Sequence, residues 1–480
     1  MKFGARVFAV LAALAVVAAT CAAPAPPDPA PGWERWVTSP DKQHLLDPMV
    51  GSSDAPTSSA FVDTTIRGST WRGAGGALTD SSVELIELAG RDLLNGLFGP
   101  ASDRGARLNL VRLPLSATDF STRLWTWQDN QGSTAVATPE AERAINTLNE
   151  AHTLNPSLAV VASPWSAPAW MKDSGSLTGG GLAVGQEGAY GSLLLAQVAA
   201  LQQEGVPLAA LTVVNEPGHS SGEYPTMTMT DEQLAAVGSQ IRPVLTDRGI
   251  ELWALDHNWA DRPRVDSILG RSPGTFDAVA FHCYAGRPSA MAGLPVPALI
   301  TECSGGEWDP SWDSTFRWQT RNLVADALRH GSTGLMMWNL ALDPSGGPHT
   351  GGCANCRGVV TVDPSSGQWT AGPEFYLLAH ISRAADPGAV SLGTTGRPDI
   401  PMVAFENPDG TIGLFGHNDS GAAQVISVEV DGVQTARVSV PADALFTARS
   451  GSVCAGDVRT RRGHTPRRVS RASRARTGCP

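Results

Sequence analysis

Between residues 64 and 383, short apolar runs rich in β-branched residues alternate with longer segments of helical periodicity, each pair taking roughly 30–45 residues. The apolar runs lie at 65–78, 108–114, 158–164, 208–215, 251–257, 277–284, 298–303 and 333–340, and the helical segments include 81–97, 140–153, 190–204, 231–246 and 314–330. Eight strand-then-helix units predict parallel strands with crossover helices, an α/β fold of the (β/α)8 TIM-barrel kind. After Arg383 the pattern shortens to alternating runs, MVAFEN, TIGLFGHN, AQVISVEVDG and ARVSVP, separated by turn residues. That texture predicts a small β-sandwich. Residues 33–62 carry strand-like pieces and no helical period, which assigns them to the same sheet and makes the second domain discontinuous. The expected division is 24–63 and 384–454 for the sandwich and 64–383 for the barrel.

The two ends differ from this interior. Lys2 and Arg6 precede an apolar run over 7–19 that closes in small residues. The run is shorter than the ~20 residues that cross a bilayer, so 1–23 reads as a secretory signal. Cys21 raises the alternative of a lipidated N-terminus, but Ala18-Ala19-Thr20 lacks the leucine that usually leads such a site. No later apolar stretch approaches the length of a span, so a secreted protein without stable membrane insertion is expected. Residues 455–480 hold eight arginines against Asp457 and almost no apolar side chains. Such a segment cannot offset its ordering entropy and is expected to be a disordered tail, with an electrostatic tether to anionic cell-wall polymers as the alternative.

Charge and cysteine usage narrow the chemistry. The formal net charge of −11 argues against nucleic acid and anionic membranes as partners. Setting aside the +2 of residues 1–23 and the +7 of residues 455–480 leaves −20 on residues 24–454, which suits a neutral substrate better than an anionic one. Cys353 and Cys356 form one C-x-x-C in a glycine-rich loop, and no second pair lies at zinc-finger spacing, so a loop-closing disulfide is expected and no metal. The 14 tryptophans outnumber the 4 tyrosines and the 12 phenylalanines, an order that favours flat binding faces.

In a (β/α)8 barrel the catalytic side chains project from the C-terminal ends of the strands. The polar residues closing the expected strands are Arg112, Ser163-Pro164-Trp165-Ser166, Asn215-Glu216-Pro217, His282-Cys283-Tyr284, Thr301-Glu302-Cys303 and Trp338-Asn339. One carboxylate after strand four and another after strand seven is the pair that retaining glycoside hydrolysis requires. One must be protonated to donate to the departing oxygen, and the other ionised to attack the anomeric carbon. Two carboxyls ~5–5.5 Å apart achieve this themselves, because the charge on one raises the pKa of the other. An arginine beside the nucleophile keeps it ionised, which suits Arg112. Asn215 can hydrogen-bond the sugar 2-hydroxyl, and Trp165 and Trp338 can wall the sugar's C–H faces, although Trp338 also fits plain core packing. His282 reads as orienting rather than catalytic. Asn-Glu-Pro alone is as often a helix cap or a solvated loop; the joint pattern carries the inference. A competing motif, Gly218-His219-Ser220-Ser221-Gly222, matches the G-x-S-x-G elbow of esterases. Pro217, Pro225 and the lack of helical period before Asp231 deny its serine the tight strand-to-helix turn it needs.

With these residues the chain resembles glycoside hydrolase family 30, the family of glucosylceramidases and endo-β-1,6-glucanases, over residues 68–390. The carrying blocks are Arg112-Leu-Pro with Ala117-Thr-Asp-Phe-Ser121, Ser163-Pro-Trp-Ser-Ala-Pro-Ala-Trp-Met-Lys172, Thr212-Val-Val-Asn-Glu-Pro217, Phe281-His-Cys-Tyr284, Thr301-Glu-Cys-Ser304, Trp338-Asn-Leu-Ala-Leu-Asp343 with Gly346-Gly-Pro348, and Arg357-Gly-Val-Val-Thr361. The resemblance implies a barrel fused to a β-sandwich built from both chain ends, and a retaining mechanism without cofactor. It further implies Glu216 as acid/base, Glu302 as nucleophile, Asp119 gripping the outer sugar hydroxyls, and Trp165, Asn215, Tyr284 and Trp338 lining the first subsite. The chain departs from the family at Val214, where glutamine is usual; alternation along the strand turns that position away from the site. The expected activity is hydrolysis of β-D-glucosides in a carbohydrate or glycolipid, by a monomer. Tyr224-Pro-Thr-Met227 and the C-x-x-C loop look more like the bacterial and fungal β-1,6-glucanase members. Endo-β-1,6-galactanase or β-xylosidase activity is the alternative within the family, since loops choose the sugar. A catalytically silent carbohydrate-binding protein is the alternative outside enzymes, and both glutamates speak against it.

Overall fold

Eight short parallel strands close on themselves in chain order: β1 Gly73–Ala77, β2 Leu110–Pro114, β3 Ala159–Ser163, β4 Leu208–Thr212, β5 Glu251–Asn258, β6 Ala278–His282, β7 Ala298–Glu302 and β8 Ser332–Met337, with β8 pairing back to β1. These come from a computed structural model that describes residues 32–100 and 104–451. The expected signal at 1–23, the arginine-rich tail at 455–480, and Cys21, Cys454 and Cys479 lie outside the described residues. Among those described, no helix is long and apolar enough to cross a membrane.

Period-two alternation sorts each strand into inward and outward positions. Leu110, Val161, Ala210, Trp253, Ala280, Leu299 and Met336 pack together inside the barrel. Trp253 is accommodated because Ala210, Ala278 and Ala280 share that layer. Two residues further along the same strands stand Arg112, Ser163, Thr212, His282, Thr301 and Trp338, all buried. The barrel is thus apolar below and polar at its C-terminal mouth. Outward positions such as Val111, Val160 and Leu211 join the helices in the larger core.

Several helices begin as their sequence dictates. Thr230 and Gln233 form a reciprocal capping box ahead of Asp231–Asp247, and Thr138 caps Pro139–Leu154 with proline in its first turn. The helix expected over 81–97 is broken at Gly90, whose φ of 70° ends Asp80–Ala89 and starts Arg91–Phe98. The run expected over 314–330 extends across Trp312–Gln319 and Ala327–Arg329 with a π turn, Thr320–Asp326, between them. After β6 the expected helix is absent: Pro288, Pro295 and Pro297 leave only the short turn Pro288–Met291. All twelve residues of a further helix, Pro373–Ala384, are buried.

The strand expected over 65–78 is divided. Ser58–Thr70 belongs to the second domain and only Gly73–Ala77 to the barrel. Between them Trp71 is buried against Phe405, and Gly73 has a φ of 142° and an absent Cβ whose place Asn109 fills. The second domain is a nine-stranded, mostly antiparallel sheet. Trp33–Thr38 pairs with Leu445–Ser450, and Ser58–Thr70 lies between Val390–Thr395 and Gln424–Val430. The sheet curls so that Val37 near one edge and Val438 at the other share one apolar core. Helix Pro373–Ala384 joins it to the barrel through His380, whose ring nitrogens meet Thr447 Oγ1 at 2.8 Å and Thr38 Oγ1 at 2.9 Å. Burial holds that histidine well below its ordinary range, so it bridges as a neutral ring.

Candidate active site

The polar layer at the mouth of the barrel is built around Arg112, which alternation on β2 turns inward. Its guanidinium donates to Asn215 Oδ1 at 2.7 Å, Asp256 Oδ2 at 2.8 Å and Ser163 Oγ at 3.2 Å, and it is ion-paired with Glu302. Asp256 is fully buried and accepts from Thr212 (2.8 Å), Ser163 (2.5 Å), Thr301 (2.9 Å) and His282 Nε2 (3.1 Å) besides Arg112. Burial alone would raise its carboxyl; the charge of Arg112 and the bond from His282 override this and hold it far below the usual carboxylate range. Sequence inspection passes over Asp256, although it closes β5 as the other site residues close theirs. The register of β5 shifts between Leu255 and His257, and Leu255 and Asp256 take φ of 70° and 60°. Such a bulge re-aims a side chain and escapes any pattern of strict alternation.

On this layer rest the two glutamates. His282 Nδ1 lies 2.9 Å from Glu216 Oε1, and His257 Nε2 lies 3.8 Å from the same oxygen. Tyr284 donates to Glu302 Oε1 at 2.9 Å and meets Ser304 Oγ at 3.1 Å. One oxygen of Glu216, one of Glu302 and one nitrogen of His282 lie within 4.8 Å of one another. Glu216 and Asn339 both sit in the left-handed region, at φ of 44° and 52°, the kind of backbone strain that collects at functional sites.

The resting protonation differs from the simple expectation of a neutral Glu216 and an ionised Glu302. Burial raises Glu302, only partly countered by His282 and Arg112. Burial also opposes ionisation of Glu216, but the hydrogen bond and charge of His282 hold it below the ordinary value. His282 loses by burial and gains more from Glu302, Asp256 and Glu216, so it is pushed up to about 9. At neutral pH it is therefore an imidazolium whose two N–H groups point at Glu216 and Asp256. The Glu216, His282 and Glu302 trio also has the spacing to hold a metal ion, which would have to displace a proton from His282 to bind there.

The walls also differ from expectation. Trp165 and Trp338 are not two separate faces: their rings stack at 5.1 Å and 17°, both buried, with Arg112 4.6 Å from the centre of Trp165. The two rings leave no slot between them. Asp119 is buried 7% exposed beside the C-x-x-C loop, where Thr350 N donates to its backbone oxygen at 2.8 Å. Burial, then the charge of Glu302, pushes its carboxyl well above the usual range. At Gly352, φ is 68° and an added Cβ would fall 2.4 Å from Asp119 Oδ2, so this loop needs glycine to close on Asp119. The loop is fastened by the Cys353–Cys356 disulfide expected from sequence. A second disulfide, Cys283–Cys303, was not foreseeable; it ties the residues that follow His282 and Glu302. Val214 packs in the core, away from the site. Ser220 of the G-x-S-x-G motif is exposed on an irregular loop with no helix before Asp231.

Comparison with known proteins matches this architecture at both domains. A model of the glycosyl hydrolase family 30 TIM-barrel domain matches residues 71–284, and one of the family 30 β-sandwich domain matches residues 388–448. The chain is 29% identical over 452 residues to an endo-1,6-β-D-glucanase of Aspergillus fumigatus, covering 84% of this chain and 90% of that one. It is 26% identical over 384 residues to the lysosomal acid glucosylceramidase of Mus musculus, covering 71% and 73%. A solved endo-β1,6-glucanase superposes with a TM-score of 0.81 at 24% identity, over 88% of this chain and 100% of that one.

Proposed function

The chain belongs to glycosyl hydrolase family 30 and is a glycoside hydrolase, and from that premise we propose that it is a retaining endo-β-1,6-glucanase. The observation that supports the mechanism is that an oxygen of Glu216 and one of Glu302 lie within 4.8 Å of each other, nearer to the ~5–5.5 Å carboxyl spacing of retaining pairs than to the ~6.5–9.5 Å of inverting ones. Glu302 attacks the anomeric carbon while Glu216 gives its proton to the departing oxygen, leaving the glycosyl unit on Glu302. Glu216 then takes a proton from water, whose oxygen displaces Glu302 from the same carbon. The resting lean of the proton toward Glu302 is reversed as positive charge grows on the sugar. The proton that leaves Glu302 passes to Glu216, so that Glu302 is ionised beside Arg112 and Tyr284 and Glu216 is protonated, while His282 keeps its Nδ1 proton 2.9 Å from Glu216. In this reading Asn215, held by Arg112, bonds the 2-hydroxyl, and Asp119 the outer hydroxyls.

Similarity to endo-1,6-β-glucanases over most of both chains supports the linkage, and the negative charge of residues 24–454 suits a neutral glucan. Secretion is part of the proposal, on the charged-then-apolar segment 1–23. Proton NMR of β-1,6-glucan hydrolysis should show the β-anomer before mutarotation; an α-anomer first, or cleavage of glucosylceramide, β-1,6-galactan or xylan in preference to β-1,6-glucan, would sink the mechanism or the substrate respectively.

A further inference from the structure

Glu216 on the β4 end and Glu302 on the β7 end divide the barrel mouth into two halves. The half formed by β8, β1, β2 and β3 is closed by the stacked Trp165–Trp338 pair, by Phe120 and by the disulfide-fastened loop over Asp119. The other half is open. There, beside Tyr284 and Ser304, lies a separate cavity of about 360 Å³ with Trp308, Trp318 and Arg357 in its lining. Large aromatic faces are usually covered in a folded protein, yet Tyr284, Trp308 and Trp318 are 46%, 56% and 43% exposed.

The exposed indole of Trp308 is held in place. It lies flat on Gly306, where an added Cβ would come within 2.0 Å of the ring. Gly305 and Gly306 pair with Cys356–Arg357 as a short antiparallel ladder. Arg357 donates to Glu374 at 2.7 and 3.0 Å and reaches the backbone oxygens of Gly306 and Asp309 at 3.4 Å. One face of Trp308 is thus fixed against backbone while the other is presented outward, a platform ordered before any ligand arrives. Tyr284 links it to the chemistry, since its ring lines the cavity while its hydroxyl donates to Glu302.

The geometry points to this cavity as the binding site for the leaving-side glucosyl units of a β-glucan chain, with Trp308 as the stacking platform. The cavity is lined by residues that follow β6 and β7, so the part of the substrate beyond the cleaved bond extends over the ends of these two strands. Flat aromatic faces edged by Ser304 and Arg357 suit a neutral ring with apolar C–H faces and equatorial hydroxyls, and the volume holds about one or two such rings. The inference rests on the glycosidase reading given above and adds where the leaving portion binds.

Trp308→Ala should lower kcat/KM on a β-1,6-linked glucotetraose about tenfold or more, the cost typical of losing a central tryptophan contact. It should leave β-glucosyl fluoride, which has no leaving-side sugar, unchanged, with an unaltered melting temperature. Trp318→Ala should show the same split to a smaller degree. Equal losses on both substrates would mean that Trp308 only props the Glu302 loop, and no loss on either would mean that nothing stacks there; each overturns the proposal. If the wild type cleaves a different β-linked oligosaccharide, the linkage assignment alone falls and the same comparison is read on that substrate. If it cleaves the fluoride but no oligosaccharide, the leaving-side sugar site falls as well.

Discussion

Substituting glutamine for His282 removes one buried charge from the centre of the site while keeping a side chain of similar reach. In the wild type this ring is fully buried, 2.9 Å from Glu216 and 3.1 Å from Asp256, and is pushed up to about 9 because Glu302, Asp256 and Glu216 outweigh the cost of burial. The folded state therefore keeps a proton that the unfolded chain releases near 6.5. The stabilisation is fully present below about pH 6.5 and is lost as pH rises through about 9. A rise from 6.5 to about 9, at 1.36 kcal/mol per pH unit, is worth about 3 kcal/mol. Urea unfolding of wild type and His282→Gln at intervals from pH 6 to pH 10 should show a stability gap that is widest near pH 6 and narrows by about that amount at the alkaline end. Lost packing adds only a constant offset. Lys172, which burial brings down to about 8, titrates in the same window but in both proteins, so it cancels in the difference. A gap that stays constant across the range would show that His282 is neutral in the folded protein and would refute the charge arrangement drawn for the site.

Glu216→Gln and Glu302→Gln should each lower kcat on β-1,6-glucan by about 10²–10⁴-fold or more while far-UV circular dichroism shows the fold retained. On β-glucosyl fluoride, whose leaving group needs no proton, Glu216→Gln should release a burst of fluoride before slow hydrolysis of the glycosyl-enzyme and Glu302→Gln should give no burst; a burst from both or from neither would remove the distinction between the two roles. Asp256→Asn withdraws the counter-charge of Arg112 and His282 and should destabilise the fold by about 3–5 kcal/mol, read by calorimetry; a change under about 1 kcal/mol would mean the network is not charged as described. Gly352→Ala forces a Cβ toward Asp119 and should raise KM more than it lowers kcat, and unchanged kinetics would show that the C-x-x-C loop does not bound the sugar site.

Residues whose position follows from local periodicity were legible in the chain itself. The short apolar runs located Arg112, Asn215, Glu216, His282, Glu302 and Trp338 as the polar residues that close them, because in a barrel of this kind the active side chains stand at the C-terminal ends of the strands. Where local rules were broken, they failed. The bulge at Leu255 and Asp256 hid a residue on which Arg112 and His282 both depend.

The sequence by itself determined the barrel, the split second domain and the two glutamates, since these rest on patterns a few residues long repeated in order. Only the tertiary structure decided how those residues act on one another. The stacking of Trp165 on Trp338, the Cys283–Cys303 bridge, the lean of the shared proton and the exposed face of Trp308 each depend on distances between segments far apart in the chain. Burial and the charge of a neighbour act through space, and no pattern along the chain records them.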